Sequence, residues 1–326
     1  LDVWLFDNKF NFDITYYNST LRNQFLYVST ANGESKPVNT GKIRNYGLEF
    51  SAGYRWNINH DWRWQTGFNF AWNDNRILET YKTESGVPYI VEMGTNAFKI
   101  KYIEGGRYGD IYVNSFARDE NGHIKINGAG DYENAVPVME SGKYETYVGN
   151  TTSPVTLGWN NTFSWKNFNL YFLIDGRIGG KVMSLTEPDL DLFGLSERSA
   201  HDRLKGERVT QNGKEYVLKE LPDGSGNKVP VENYYTTIGA YPMEDHVYNA
   251  TNLRMRDISL SYNFSNLLGK NTGLTAQFSI KNAFFIYKDS PIDPDISVSA
   301  ANGYSGIDCY SLPTTRSYAL TLKFSF

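Results

Sequence analysis

Two short stretches of this 326-residue chain carry carboxylates two positions apart: Asp189 and Asp191 in DLDLFG (189–194), and Asp293 and Asp295 in PIDPDIS (291–297). In an extended segment that spacing puts both acids on one side. Such a pair could hold a cation or accept from a sugar hydroxyl; solvated loop acids are the plainer reading. DENGHIKIN (119–127) has Asp119, Asn121 and Gly122 arranged faintly like a calcium loop. A full loop needs further acidic ligands and a glutamate at its twelfth position. His123 and Lys125 stand where ligands would help, so a β-turn is the better reading. Asp119 and Asn121 stay as weak metal candidates, Ca2+ lacks the support of a full motif, and no cofactor is expected.

The four histidines, His60, His123, His201 and His246, show no metal-ligand spacing and read as solvated loop residues. Nothing resembles a nucleophile elbow. Gly-rich IEGGRYGD (103–110) lacks the lysine and hydroxyl residue of a phosphate loop. No enzymatic site is expected. The long polar segments are rich in tyrosine. Exposed tyrosines stack on sugar rings or pack on a partner, and equally pack loops together. Tyr89, Tyr235, Tyr241, Asp293 and Asp295 are therefore the candidate substrate-binding residues, with no stronger signal behind them.

The elements that would position these groups are strands. The chain holds 24 Tyr, 19 Phe and 7 Trp, and aromatics suit a pleated, half-buried surface. A formal charge of −4 gives no sign of a nucleic-acid partner. Cys309 stands alone, which excludes an internal disulfide. No run approaches the ~18 apolar residues of a membrane-spanning helix. Strands that cross a bilayer alternate, however, so the mean hydropathy of −0.49 does not exclude a membrane.

Alternation recurs along the chain. WRWQTGFNFAW (62–72) sets Trp62, Trp64, Phe68, Phe70 and Trp72 against Arg63, Gln65, Gly67, Asn69 and Ala71. YGLEFSAGYRWNI sets Leu48 and Phe50 against Glu49 and Ser51, and VTLGWNNTFSW sets Leu157, Trp159 and Phe163 against Gly158, Asn160 and Thr162. SYALTLKFSF ends with Tyr318, Leu320, Leu322, Phe324 and Phe326 on one face. About nine strands follow: 1–6, 10–28, 42–58, 62–80, 154–166, 168–183, 251–264, 273–287 and 315–326. Short turns alternate with long segments at 31–41, 81–152, 184–249 and 289–313, as in transmembrane barrels with elaborate outer loops. Leu48, Phe50, Phe68, Phe70, Trp159, Leu320 and Phe326 are expected to face lipid. Trp56, Trp62, Trp64, Trp72, Trp159 and Trp165 read as an interfacial girdle. A soluble β-sandwich also alternates, but its strands run only ~5–6 residues. Residue 1 already lies inside an alternating run, which suggests a fragment or a cleaved piece.

Three segments near the end, TNLRMRDISLSYNFS (251–265), FSIKNAFFIYKDSPIDPDIS (278–297) and SYALTLKFSF (317–326), resemble the end of SusC/RagA-like TonB-dependent transporters of Bacteroidetes. DNKFNFDITYYNST (7–20), TGKIRNYGLEFSAGYRW (40–56), GDIYVNSFARDENGHIKI (109–126) and the stretch 148–182 follow that family's order. The resemblance implies an antiparallel transmembrane β-barrel of 22 strands in a Gram-negative outer membrane. Residues 1–326 would be its C-terminal part, with the plug and TonB-contacting regions outside this chain. It implies active import of an oligosaccharide or peptide, energised by TonB, with a SusD-like surface lipoprotein as lid. The alternatives are a passive pore or adhesion barrel and, further off, a soluble sugar-binding sandwich. RDENGHIKING is less acidic than the family's usual loop there, which weakens any metal role.

Overall fold

The computed structural model describes all residues except 30–34, 84, 141, 240–242, 266–271, 299–303 and 326. Nine strands form one antiparallel sheet in chain order: β1 (Asp2–Leu5), β2 (Phe10–Ser29), β3 (Ser35–Asn57), β4 (Trp62–Glu79), β5 (Val155–Trp165), β6 (Phe168–Ile178), β7 (Asn252–Ser265), β8 (Gly273–Lys288) and β9 (Ser317–Ser325). β1 and β9 are its two edges.

The register keeps the two faces separate from end to end. One line across the sheet runs Trp56, Trp64, Phe163, Leu170, Leu260, Phe278 and Leu320. The neighbouring line on the other face runs Arg55, Gln65, Thr162, Tyr171, Ser259, Ser279 and Ala319. Since side chains alternate strictly, a slip of one residue would exchange these faces. Three glycines on the polar face admit side chains from neighbouring strands. A Cβ at Gly53 would meet Asn11 Oδ1 at 2.6 Å, and one at Gly67 would meet Asn160 Nδ2 at 2.8 Å. One at Gly47 would strike both Tyr17 and the Trp72 carbonyl.

The turns at one end are short because local chemistry closes them. Asn59 Oδ1 accepts from the backbone N–H groups of Asp61 and Trp62, both at 2.9 Å. Lys166 adopts φ 49° in the two-residue turn between Trp165 and Phe168, the left-handed geometry such hairpins require. Trp62, Trp165 and Phe168 stack in a row at this end, with centroids 5.6 and 6.0 Å apart. Trp159 is not part of a girdle: it sits in mid-strand opposite Phe68 and Ile174.

The other end departs from the sequence reading. Residues 35–41, expected in a loop, pair with β2 and lengthen β3 to 23 residues. Pro37 and Gly41 disguise this locally; the partner strand supplies the pairing. The strand expected over 168–183 stops at Ile178, where Gly179 and Gly180 take φ 77° and 80°. Lys181–Ser184 then joins a separate sheet with Val247–Asn249 and, in parallel, Ile307–Asp308. The long connections are folded too. They contain small sheets and three helices, α1 (Glu187–Leu192), α2 (Glu197–Lys205) and α3 (Val231–Gly239). One buried core gathers Phe98, Ile100, Ile111, Val113, Met183 and Ile307, and a second gathers Phe116, Ile124, Val229, Tyr234 and Ile238. Among the described buried residues of these cores only Ile77 belongs to the nine-stranded sheet. The sheet itself has an uncovered apolar face, with Trp159 41% and Leu320 71% exposed.

Candidate functional site

The paired acids meet arginines. Arg254 and Arg256 lie two apart on β7, where register shifts interrupt the ladders to β6 and β8. Arg254 donates to Asp293 Oδ1 at 2.9 Å and to Asp295 Oδ2 at 3.0 Å. Arg256 donates to Asp295 Oδ2 at 2.8 Å and to Asp175 Oδ2 at 2.6 Å. Arg177 stands 3.3 Å from Asp295 Oδ1. Asp293 Oδ1 also accepts from Asp295 N at 3.0 Å, and its Oδ2 accepts from the backbone and hydroxyl of Thr314. Burial would raise the pKa of Asp293. The Thr314 and backbone hydrogen bonds and the Arg254 charge outweigh it and hold the carboxyl below its usual range. Arg254 itself is buried, with Phe285 3.8 Å from its guanidinium carbon.

The arrangement is a clamp. It fastens the start and end of the 289–313 connection to the polar face at the long-loop end. Asp293, proposed from sequence as a ligand-binding acid, has both oxygens engaged by the protein; Asp295, proposed with it, has Oδ2 bonded to Arg254 and Arg256, while its buried Oδ1 makes no hydrogen bond and faces Arg177 as an ion pair. The reading of Asp293 as a solvated loop acid is corrected for the same reason: it is 8% exposed.

Asp191 needs the same correction. Its side chain is fully buried, and it accepts from Ser196 Oγ at 2.5 Å and from Arg198 Nε at 3.1 Å. His246 Nε2 lies 2.9 Å from Asp191 Oδ2, the oxygen Arg198 also addresses, and its side chain is fully buried rather than solvated. Burial opposes ionisation of Asp191, but the bonds from His246, Arg198 and Ser196 prevail and lower its pKa. Ser196 and His246 both address the carboxylate and not each other, which is a structural network and not a nucleophile with its base. His60 and His201 are exposed, as read, and His123 is half-buried beside Asp119.

The remaining candidates are dispersed. Tyr235 is not an exposed stacking platform: it is 3% exposed, packs in the second core and donates to Asp202 Oδ2 at 2.7 Å. It borders a cavity of about 630 Å³ with Arg198, Lys219, Tyr234 and Tyr248. Tyr89 is half-buried against Tyr81, with centroids 6.3 Å apart. Tyr241 lies outside the described residues. Asp119 Oδ1 accepts from the backbone N–H groups of Asn121 and His123, both at 2.9 Å, which is turn chemistry. Among the described residues no group of three or more His, Cys, Asp or Glu side chains is placed to hold a metal ion.

Of the residues expected to face lipid, Leu48, Phe50, Phe68, Phe70, Trp159 and Leu320 share one face by register; Phe326 lies outside the described residues. The sequence reading passed over Asn161, a polar residue of the same parity. It is 1% exposed and accepts from Trp64 Nε1 at 3.0 Å. Trp159 Nε1 likewise donates to Thr66 Oγ1 at 2.9 Å. The apolar face thus satisfies both indole N–H groups internally. The arginine clamp was also missed. Its signal was two arginines two apart in TNLRMRD and two acids two apart in PIDPDIS.

No family model matches the chain. It is 24% identical to TonB-dependent receptor P3 of Formosa agariphila over 352 residues, covering all of this chain and 33% of that protein. It is 24% identical over 300 residues to TonB-dependent receptor SusC of Bacteroides thetaiotaomicron, covering 88% of this chain and 27% of SusC. The solved structure of the RagAB peptide transporter superposes with a TM-score of 0.70 at 18% identity, covering all of this chain and 34% of the matched one. The chain therefore spans about a third of the length of these relatives.

Proposed function

We propose that this chain, a SusC/RagA-like portion of a TonB-dependent transporter, forms the C-terminal wall and outer mouth of an active outer-membrane importer. The observation that carries the reading is the separation of an apolar face from a polar one across the nine strands, which persists on either side of the register shifts at β7. In a bilayer the apolar face meets hydrocarbon and the polar face an aqueous interior. Every backbone group must be paired there, so the edges β1 and β9 call for neighbouring strands, consistent with a 22-stranded barrel. A plug and a TonB-contacting segment would lie in sequence outside residues 1–326.

The cargo is a nutrient, an oligosaccharide or a peptide, captured beneath a SusD-like lipoprotein lid on the folded outer loops. RagAB is a peptide transporter by its name, and the other relatives are named as receptors, which accords with a non-enzymatic role. A β-sandwich would cover its apolar face with a second sheet. The exposed tryptophans and leucines of this sheet speak against that alternative. A passive pore differs in needing no energy. Uptake by cells with and without functional TonB tests the proposal: import should stop without TonB. Uptake that continues at the same rate would favour the pore.

A further inference from the structure

The apolar face changes character abruptly at the long-loop end of β2, β3 and β4. Tyr16, Leu48 and Trp72 share its last row of large apolar side chains. The next row sets Tyr46 between Asn18 and Asp74, with the Tyr46 and Trp72 rings 5.7 Å apart. Beyond it the same face is cationic. Arg44 stands directly opposite Arg76, and Arg22 directly opposite Lys42. Like charges facing each other across a ladder are destabilising, and here two such pairs occupy adjacent rows.

Acids offset only part of this charge. Lys42 pairs with Glu79 at 3.4 Å, and Asp74 serves both Arg107 and, at 4.0 Å, Arg76. Arg22 and Arg44 are exposed and have no acidic partner among the described residues. Arg44 spends one N–H on Asn18 Oδ1 at 2.9 Å, and Arg76 spends one on the Gly105 carbonyl at 3.1 Å. Both acceptors are neutral, and a guanidinium carries five N–H groups. The height of the patch says what meets it. From Trp62 to Trp72 the strand rises about 34 Å along its length, or about 24 Å at a tilt of ~45°. That matches the ~25 Å apolar band of an outer-membrane barrel. Arg76 stands about 10 Å higher by the same rise, level with the headgroups on the long-loop side.

We propose that Arg22, Lys42, Arg44 and Arg76 form a binding site for the phosphate groups of an anionic outer-leaflet lipid, a phosphorylated glycolipid of the lipid A type. This rests on the reading of the apolar face as the lipid-facing wall and goes beyond the import reading. The acyl chains lie along Tyr16, Leu48 and Trp72, and a phosphate sits between the opposed guanidiniums. A guanidinium presents paired donors that match phosphate oxygens. One phosphate between Arg44 and Arg76 turns a repulsive pair into two charge-assisted contacts. A zwitterionic headgroup brings its own cation and leaves the excess charge in place. A soluble anion gains nothing from the apolar rows beneath.

The test uses the intact transporter in detergent, stripped of lipid and titrated with bisphosphorylated lipid A, its dephosphorylated form and inorganic phosphate. Native mass spectrometry reads the bound lipid. Arg44→Gln with Arg76→Gln should weaken lipid A about 25-fold, at about fivefold per cation. Arg44→Lys with Arg76→Lys keeps the charge and should recover most of that loss. Arg55→Gln with Arg63→Gln, on the polar face at the short-turn end, should stay within about twofold of the parent. The dephosphorylated form should bind parent and variants alike. Heat-modifiable migration on gels confirms that each variant is folded. Equal lipid A affinity in the parent and the glutamine pair overturns the site. Inorganic phosphate that displaces lipid A at equal phosphate concentration overturns it too, and makes this a site for the free anion. TonB-dependent uptake separates the two proposals. Uptake that needs TonB, beside lipid A affinity that ignores the glutamine pair, removes the lipid site and leaves the importer. Lipid A affinity lost in that pair, beside uptake that ignores TonB, does the reverse.

Discussion

Replacing Asp293 with asparagine should release the 289–313 connection from the wall. The Arg254 side chain is 2% exposed and would lose one of its two carboxylates. The new amide would also point its N–H groups at the Thr314 backbone N–H, which lies 3.1 Å from the present oxygen. Removing one partner of a buried pair costs about 3–5 kcal/mol. Arg254 keeps Asp295 at 3.0 Å, so the local cost is set lower, at about 2–4 kcal/mol. If the connection opens locally, that is a rise of roughly 30- to 700-fold in amide exchange, at tenfold per ~1.4 kcal/mol. Hydrogen exchange read by mass spectrometry on peptides covering 251–256 and 304–316 measures it directly. Asp289→Asn is the control, since Asp289 accepts only an exposed tyrosine hydroxyl and its loss should not move those peptides. Equal exchange in the two variants would refute the clamp. The pH dependence has a defined sign. The folded pKa of Asp293 is depressed, so its contribution is complete above the unfolded value of ~3.9 and fades as pH falls through the folded one. Protection should be flat from pH 5 to 7 and fail only in stronger acid.

Three further outcomes are expected. Phe68→Arg should impair barrel assembly by about 2–4 kcal/mol if it lies near the bilayer centre, while Asn69→Arg on the other face should be milder; heat-modifiable migration on gels reports both, and equal effects would overturn the face assignment. Gly47→Ala should cost about 1–3 kcal/mol by overpacking against the Trp72 carbonyl, whereas Gly158→Ala meets nothing within 4 Å and should assemble normally. Burial raises the pKa of Glu244 despite its bonds from Phe116 N and Arg118, so its ionisation weakens the fold as pH rises through that value. Glu244→Gln should therefore stabilise the outer loops at pH 7 and do nothing near pH 4, in melts followed by tyrosine fluorescence.

The wall was legible in the sequence because its determinants are local. Alternation and turn residues such as Asn59 and Lys166 place strands and hairpins without reference to distant partners. The outer mouth was not, because its determinants are remote. Asp293 meets an arginine 39 positions earlier, and Asp191 meets a histidine 55 positions later. Nothing near either acid distinguishes a clamped carboxylate from a solvated one. Tyr235 fails similarly: a tyrosine in a polar segment reads as exposed until α3 carries it into the second core with Val229 and Ile238. The hairpin over 35–41 shows the same limit in a strand, since its pairing with Leu21–Ser29 is what overrides Pro37 and Gly41.

The glycines of the polar face set the relief of the inner wall. Where Gly53 and Gly67 lie, Asn11 and Asn160 recline over the sheet instead of standing off it. At these two places the surface is levelled, between the longer side chains of Arg55, Gln65 and Arg63. A body resting there would adhere through broad, shallow contact, and a modest axial pull could slide it while the strands beneath keep their register.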